Sequence, residues 1–371
     1  TPNNVVTVFI GASEMGQGTH TALATVIADE LDADWKQVRV KQGPAAKEFH
    51  NPLLGEQLTV ASAAVRGFFE PCRKAAAAGR AMLVKAGAAN WGVPESECEA
   101  NNGTVLHKKS SRKSTYGQLC LAAAKLEIPK EPALKKESEF RYIGKPTARV
   151  DIPAKVKGTA IYGLDVSIPG MHYAVLARPP AYGAKPVSKN EKAAMSVKGV
   201  IKVVETPMGL AVVAKSLDAA WKGRKALDAK WDKGIVPQMD NAFIEKTLMA
   251  ELDKPGSKAM ENGDAKKALE SAAKKVQSTY FVPYVAHALM EPINCTAYVS
   301  KDKCDVWAPT QGQTGAQALA SEISGLPPEK VNIHTTYMGC GLGRRAAPDF
   351  VVEAVIASKV SGKPVKVVWT R

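Results

Sequence analysis

No apolar run in this sequence approaches the roughly 20 residues needed to span a bilayer as a helix, so a helical membrane anchor is excluded within it. The opening residues Thr1-Pro2-Asn3-Asn4 carry no basic-plus-apolar export signal, and the expectation is either a cytosolic chain or one whose signal has been removed. Cysteine is sparse and scattered over Cys72, Cys98, Cys120, Cys295, Cys304 and Cys340, with no Cys-x-x-Cys pair. That spacing argues against an iron–sulfur cluster or zinc site built by this chain alone. Free buried thiols are expected, although Cys295 and Cys304 flank a short hairpin-like segment. Aromatic residues make up only 6%. The net charge of +14, from 50 Lys and Arg against 36 Asp and Glu, therefore lacks the interleaved rings of a single-strand binder and reads as solvated lysine faces that attract anions, with no specific nucleic acid expected. Neither a Gly-x-x-x-x-Gly-Lys-Ser/Thr phosphate loop nor a three-glycine dinucleotide fingerprint is present.

What is present starts near the beginning. Residues 5–10 are β-branched and apolar enough for a buried strand, and Leu23, Ile27 and Leu31 fall on one helical face. Between them runs Ser13-Glu14-Met15-Gly16-Gln17-Gly18-Thr19-His20. A glycine turn feeding a helix N-terminus is expected to point free N–H groups and the positive dipole end outward, with Gly16 and Gly18 allowing close approach and Gln17 adding a donor and an acceptor. The plainer reading is a connection that needs positive φ and an N-cap.

With 371 residues, 45% of them hydrophobic, the chain can form two or three domains. Residues 1–125 read as one α/β unit, including a strand over 38–40 and a helix over 71–91 that starts at Pro71 and stops at Gly92. A Pro- and Lys-rich linker follows over 126–148. Residues 149–235 carry short strands at 160–166, 172–177, 200–204 and 210–214 and a helix at 216–229, suggesting a small α+β domain. Residues 236–371 begin with two short helices up to about residue 275. Strands are then expected at 276–284, 296–299, 305–308 and 331–335, with helices at 313–324 and 348–360. The last residues, 364–371, read as a strand that needs a pairing partner, which suggests a fragment or half of a split polypeptide.

A second loop, Met338-Gly339-Cys340-Gly341-Leu342-Gly343-Arg344-Arg345, follows a strand and reads as another anion or oxo-group cradle. Upstream lie Trp307-Ala308-Pro309-Thr310-Gln311 and His287-Ala288-Leu289-Met290-Glu291-Pro292. With Glu14-Met15-Gly16-Gln17-Gly18, Ile143-Gly144-Lys145-Pro146, Asp151-Ile152-Pro153-Ala154-Lys155-Val156-Lys157-Gly158 and Arg178-Pro179-Pro180, these residues resemble the molybdopterin-binding large subunits of the xanthine dehydrogenase and aldehyde oxidase family. The likeness is to the isoquinoline 1-oxidoreductase beta-subunit type and runs from Val5 to Arg371.

The resemblance implies a mixed α/β and α+β architecture, with molybdopterin-binding domains around a hammerhead-like α+β domain over 149–235. It implies a molybdenum-dependent oxidoreductase that oxidises an aldehyde or hydroxylates an N-heterocycle with water-derived oxygen. The pterin, in one variant the cytosine dinucleotide, holds the metal through its dithiolene, so no direct protein ligand to molybdenum is expected. The [2Fe-2S] clusters would sit on a separate small subunit, a second chain would complete the molybdopterin-binding domains, and a cytochrome c or another acceptor would take the electrons. Many relatives are exported folded to the periplasm; the cytoplasm is the alternative. By position, Gly16, Gln17, Gly18 and Thr19 would line the pterin with Thr59 and Ser62. Gln311 would face an oxo ligand, Gly341, Leu342 and Gly343 would approach the metal's oxygens, and Arg344 and Arg345 would hold the loop. Gln311 and Leu342 would stand at the reacting centre. The general-base glutamate would lie beyond Arg371.

This chain departs from the family pattern at Cys340 and Leu342, in place of glycine and an aromatic, and at Val60-Ala61, in place of smaller residues. A non-catalytic molybdopterin-binding or assembly subunit with the same fold is the alternative. His287 and Glu291 read as fixing loop geometry rather than binding metal, and Glu14 as ordering its loop through N–H contacts. His20 reads as helix-capping or buried and hydrogen-bonded, and Trp221, Trp231 and Trp307 as core anchors.

Overall fold

The structure, a computed structural model, describes residues 1–236 and 238–370. β1 (Val6–Ile10), α1 (Thr19–Glu30) and β2 (Val38–Gln42) form a βαβ unit with the strands parallel, Val6 opposite Val38 and Ile10 opposite Gln42. α2 (Ala63–Trp91) packs on α1 and is followed by β3 (Cys98–Asn101), β4 (Thr104–His107), β5 (Lys113–Thr115) and α3 (Tyr116–Ala123). Next come α4 (Ile152–Val156), β6 (His172–Ala177), β7 (Pro186–Ser188), α5 (Glu191–Ser196), β8 (Val200–Thr206), β9 (Gly209–Ala214), α6 (Leu217–Leu227), β10 (Lys230–Trp231), α7 (Asn241–Glu251) and α8 (Ala265–Ser271). β11 (Asn294–Val299), β12 (Cys304–Ala308), α9 (Gln313–Ser324), β13 (Val331–Thr335), α10 (Asp349–Ser361) and β14 (Val365–Val368) complete the order.

The described residues form two compact units. The larger comprises Thr1–Ala177, Asn190–Asp228 and Ala288–Arg371, and the smaller Arg178–Lys189 and Ala229–His287. In the larger unit a seven-stranded mixed sheet runs β13-β12-β11-β14-β6-β9-β8. β12 and β13 are parallel and joined through α9, the crossover that parallel neighbours require. α9 and α10 bury Ala316, Ala320, Phe350, Val351 and Ala354 against the sheet. Cys295 and Cys304 are free and fully buried in this core. In the smaller unit β7 pairs with β10, and Asp240 and Asp264 cap α7 and α8 by accepting from the N–H groups of Phe243 and Lys267.

Several sequence-based expectations change. β14 lies inside the sheet, antiparallel to β11 and parallel to β6, so its pairing partners come from within the chain rather than from another polypeptide. Arg371, the last residue of that expected strand, lies outside the described residues. No strand forms over 276–284, where Tyr280 and Val282 are 88% and 83% exposed; a strand needs an edge to pair with, and these residues meet none among the described ones. Residues 160–166 make one isolated bridge, Tyr162 to Tyr337, because the Tyr162 N–H turns back to the Asp165 carboxylate at 2.9 Å. Pro71 sits inside α2 rather than at its start. The linker is pinned to the end of α1: the buried Asp29 carboxylate accepts from the N–H groups of Arg141, Tyr142 and Ile143, and Glu30 from that of Lys135. Trp221 is not a core anchor, since it is 37% exposed and carries the Arg224 guanidinium over its ring, while Trp307 is half-buried and stacks on His334 at 4.8 Å.

Candidate functional site

Four distant segments meet in the larger unit through reciprocal hydrogen bonds. The Gln311 amide nitrogen donates to the Thr59 carbonyl at 2.8 Å and the Thr59 N–H to the Gln311 carbonyl at 2.8 Å. The Ser13 N–H donates to Thr59 Oγ1, and Ser13 Oγ to the Thr310 carbonyl. The Gln311 N–H donates to the Arg345 carbonyl at 3.0 Å, which brings in the second glycine loop. Between these segments opens a cavity of about 340 Å³. Of the sequence-predicted residues, Gln17, Thr19, Thr59, Ser62, Gln311, Leu342 and Gly343 line it, together with Met15, Val60 and Ala61. Gly16, Gly18, Gly341, Arg344 and Arg345 are not among the lining residues.

The first turn is not built as the sequence suggested. Glu14, 2% exposed, closes it: one carboxylate oxygen accepts from the Gly16 and Gly18 N–H groups at 2.9 and 3.0 Å, and the other from that of His20 at 3.0 Å. These N–H groups therefore point at Glu14, not outward to a ligand. The loop-ordering role read for Glu14 holds. Gln17 is also committed locally, donating to the Ser13 carbonyl and accepting from the Met15 N–H. His20 is buried and hydrogen-bonded to Gln42, and burial pulls its pKa below the ordinary imidazole value although Glu14 opposes this.

Unused donors occur on the opposite walls instead. The N–H groups of Val60, Ala61 and Ser62, and of Cys340, Gly341, Leu342 and Gly343, donate to no group among the described residues. Both stretches carry left-handed residues without glycine's freedom: Ala61 and Ser62 at φ 53° and 52°, Cys340 and Leu342 at φ 87° and 46°. Successive N–H groups turned by such backbone form concave donor nests, and backbone strain of this kind clusters at ligand clamps. The sequence named Ser62 in the first stretch through the family resemblance, but gave no signal for the left-handed backbone at Ala61 and Ser62.

The second loop is held from beneath. Arg345, fully buried, donates to the Cys340 carbonyl at 2.9 Å and the Glu291 carbonyl at 2.7 Å, with the Glu291 carboxylate 3.3 Å away. Glu291 also accepts from the N–H groups of Gly339 and Leu164 and from Asn294, so it fixes loop geometry as the sequence suggested. Arg344 instead pairs with Asp349 at 2.6 Å and lies over the Trp369 ring.

The site accepts a molybdenum-bearing pterin on three counts. Among the described residues no acidic or basic side chain lines the cavity, Val60, Ala61, Ser62, Leu342 and Gly343 of the two stretches with unused N–H groups do line it, and its volume falls in the range of small-molecule sites, about 300–1,000 Å³. Gln311 Oε1 is buried without a partner, and a Cβ on Gly341 would fall 2.7 Å from it and 2.6 Å from Met15 Sδ, so glycine is required for this close packing.

Comparison with known proteins agrees with this geometry. Molybdopterin cofactor-binding domain families match residues 250–371 and residues 1–167, which between them contain all four segments. Isoquinoline 1-oxidoreductase subunit beta of Brevundimonas diminuta is 32% identical over 100% of this chain and 53% of its own length. The membrane-bound aldehyde dehydrogenase [pyrroloquinoline-quinone] of Gluconacetobacter polyoxogenes is 31% identical over 100% of this chain and 49% of its own. The chain thus spans about half the length of these curated relatives. In fold it is similar to quinoline 2-oxidoreductase from Pseudomonas putida 86, with a TM-score of 0.51, 20% identity and coverage of 64% of this chain and 35% of that one. With matched cofactor-binding regions on both sides of the cavity and a relative aligned along its whole length, the chain belongs to the xanthine oxidase family of molybdopterin-binding subunits.

Proposed function

We propose that this chain is the cofactor-binding part of a molybdenum hydroxylase large subunit, an oxidoreductase that oxidises an aldehyde or hydroxylates an N-heterocycle. The observation that carries this reading is the meeting of four sequence-distant segments around one cavity with two unused donor nests. Bound there, the molybdenum cofactor would supply two-electron redox chemistry and the centre for oxygen transfer. The N–H groups at 60–62 and 340–343, with the hydroxyls of Thr59 and Ser62, would hold its anionic and oxygen-rich parts. Gln311, whose nitrogen is spent on Thr59, would offer Oε1 to a donor of the bound group. Leu342, 62% exposed on the cavity wall, would meet an incoming apolar substrate.

The family resemblance supports the finer proposals: a [2Fe-2S] small subunit, a cytochrome c or another electron acceptor, the cytosine dinucleotide form of the pterin, and further polypeptide completing the cofactor domains. It also supports a hammerhead-like module over 149–235 and a periplasmic location after folded export. The test is elemental analysis of the purified complex combined with dye reduction. Near-stoichiometric molybdenum with aldehyde- or isoquinoline-dependent reduction is expected. A metal-free and pterin-free complex would overturn the proposal, and a loaded but inactive one would favour the assembly-subunit alternative.

A further inference from the structure

The Asp151–Gly158 motif and the Arg149 just before it have no role in the cavity lining, yet this segment reaches the first turn. Arg149 donates through Nη1 to the Gly16 carbonyl at 2.8 Å and through Nη2 towards Glu14 at 3.4 Å. Its guanidinium lies against Gly18, where a Cβ would stand 3.7 Å from Nη1. Asp151, 1% exposed, grips the same guanidinium from the other side with two bonds of 2.9 and 2.6 Å. Lys155 closes the series on Asp151 at 2.5 Å and places its ammonium 5.3 Å from the ring centroid of Tyr337, next to the start of the second loop. The Val150 N–H donates to Thr21 Oγ1 in the first turn of α1.

From this arrangement we infer that Arg149 and Asp151 are positioning residues for the cofactor cavity: they form an ionic pin that keeps Glu14 paired and the 13–19 turn in the shape of a cavity wall. A buried carboxylate that binds only N–H dipoles carries an uncompensated charge. The alternating series Glu14, Arg149, Asp151, Lys155 removes it. The forked guanidinium does what a lysine cannot, since it grips one carboxylate with two bonds while reaching a backbone carbonyl and a second carboxylate. Met15, Gln17 and Thr19 line the cavity from this turn, so its shape is the cavity's shape.

The role toward the cofactor rests on the proposed function; the pin itself does not. Hydrogen exchange of the segment 13–22 in the full chain, with its partners as purified, reads the pin directly. Arg149→Met is expected to speed exchange there by roughly tenfold or more, the scale of one lost charge-assisted hydrogen bond, while segments 58–63 and 339–345 stay unchanged. Arg149→Lys should restore exchange in part. Asp151→Asn, which keeps the cation, should give a smaller increase and serves if Arg149→Met does not fold. Molybdenum per chain should fall in the same order across the three variants. Unchanged exchange at 13–22 would overturn the pin. Faster exchange with undiminished molybdenum would overturn its role in positioning. Wild-type protein without molybdenum would instead sink the proposed function, leaving the pin to stand or fall on exchange alone.

Discussion

The 13–19 turn and the 338–345 loop both alternate glycine with other residues, and each rests on a buried glutamate paired with an arginine. In the first, Glu14 consumes the N–H groups of the turn itself, and Arg149 braces it from a side chain that is one-third exposed. In the second, Glu291 takes only the Gly339 N–H from the loop itself, and the fully buried Arg345 holds the Cys340 carbonyl, so the N–H groups of residues 340–343 remain available. Two loops of similar composition thus have opposite electrostatic faces. What decides between them is where the nearest carboxylate sits, within the turn itself for Glu14 and on a distant segment for Glu291, rather than glycine content.

The comparison can be broken most forcefully at Glu291. Glu291→Ala leaves Arg345 buried with no carboxylate, and a loss of about 3–5 kcal/mol is expected, measured by urea denaturation. Glu14→Ala removes the carboxylate that accepts from three N–H groups, but the exposed edge of Arg149 can turn to water. A smaller loss of about 2–3 kcal/mol should follow, and equal losses at the two glutamates would contradict the contrast drawn between them. Gly341→Ala pushes a methyl against Gln311 Oε1 and Met15 Sδ; about 1–3 kcal/mol of overpacking is expected, visible as a lower melting temperature and lower molybdenum per chain. The smallest effect is expected from Cys340→Gly, which relieves a left-handed backbone at φ 87°. A gain of up to about 1 kcal/mol in thermal stability should result, with no gain from the same change at a residue of negative φ in the loop.

Much of the fold was legible because its signals are local. The bounds of α9 and β13 fall where periodicity and flanking glycine and proline place them, and the strands at 172–177 and 210–214 are recognisable from their apolar runs. The run at 276–284 shows the limit: its β-branched and aromatic residues suit a strand, but strand formation needs a partner edge that no local pattern supplies. In the site, Gln311 and Gly343 line the cavity and could be named from sequence, whereas Gly16 and Gly18, also named, turn their N–H groups to Glu14. The local role of Glu14 in ordering its turn could be read as well, but the left-handed Ala61 and Ser62 and the guanidinium bracing that turn could not be, because each depends on residues more than 40 positions apart or on backbone angles that the residue type does not favour.

By itself the sequence determined the βαβ opening through alternating apolar residues, the helical and strand segments of the large sheet through their periods, and the family through several motifs in order. Tertiary structure alone decided that β14 pairs on both sides within the chain, that Arg149 braces the first turn, and that unused N–H groups gather at 60–62 and 340–343. Periodicity is carried by neighbours along the chain. The direction of a hydrogen bond and the pairing of a buried charge are settled only when distant segments exclude water together.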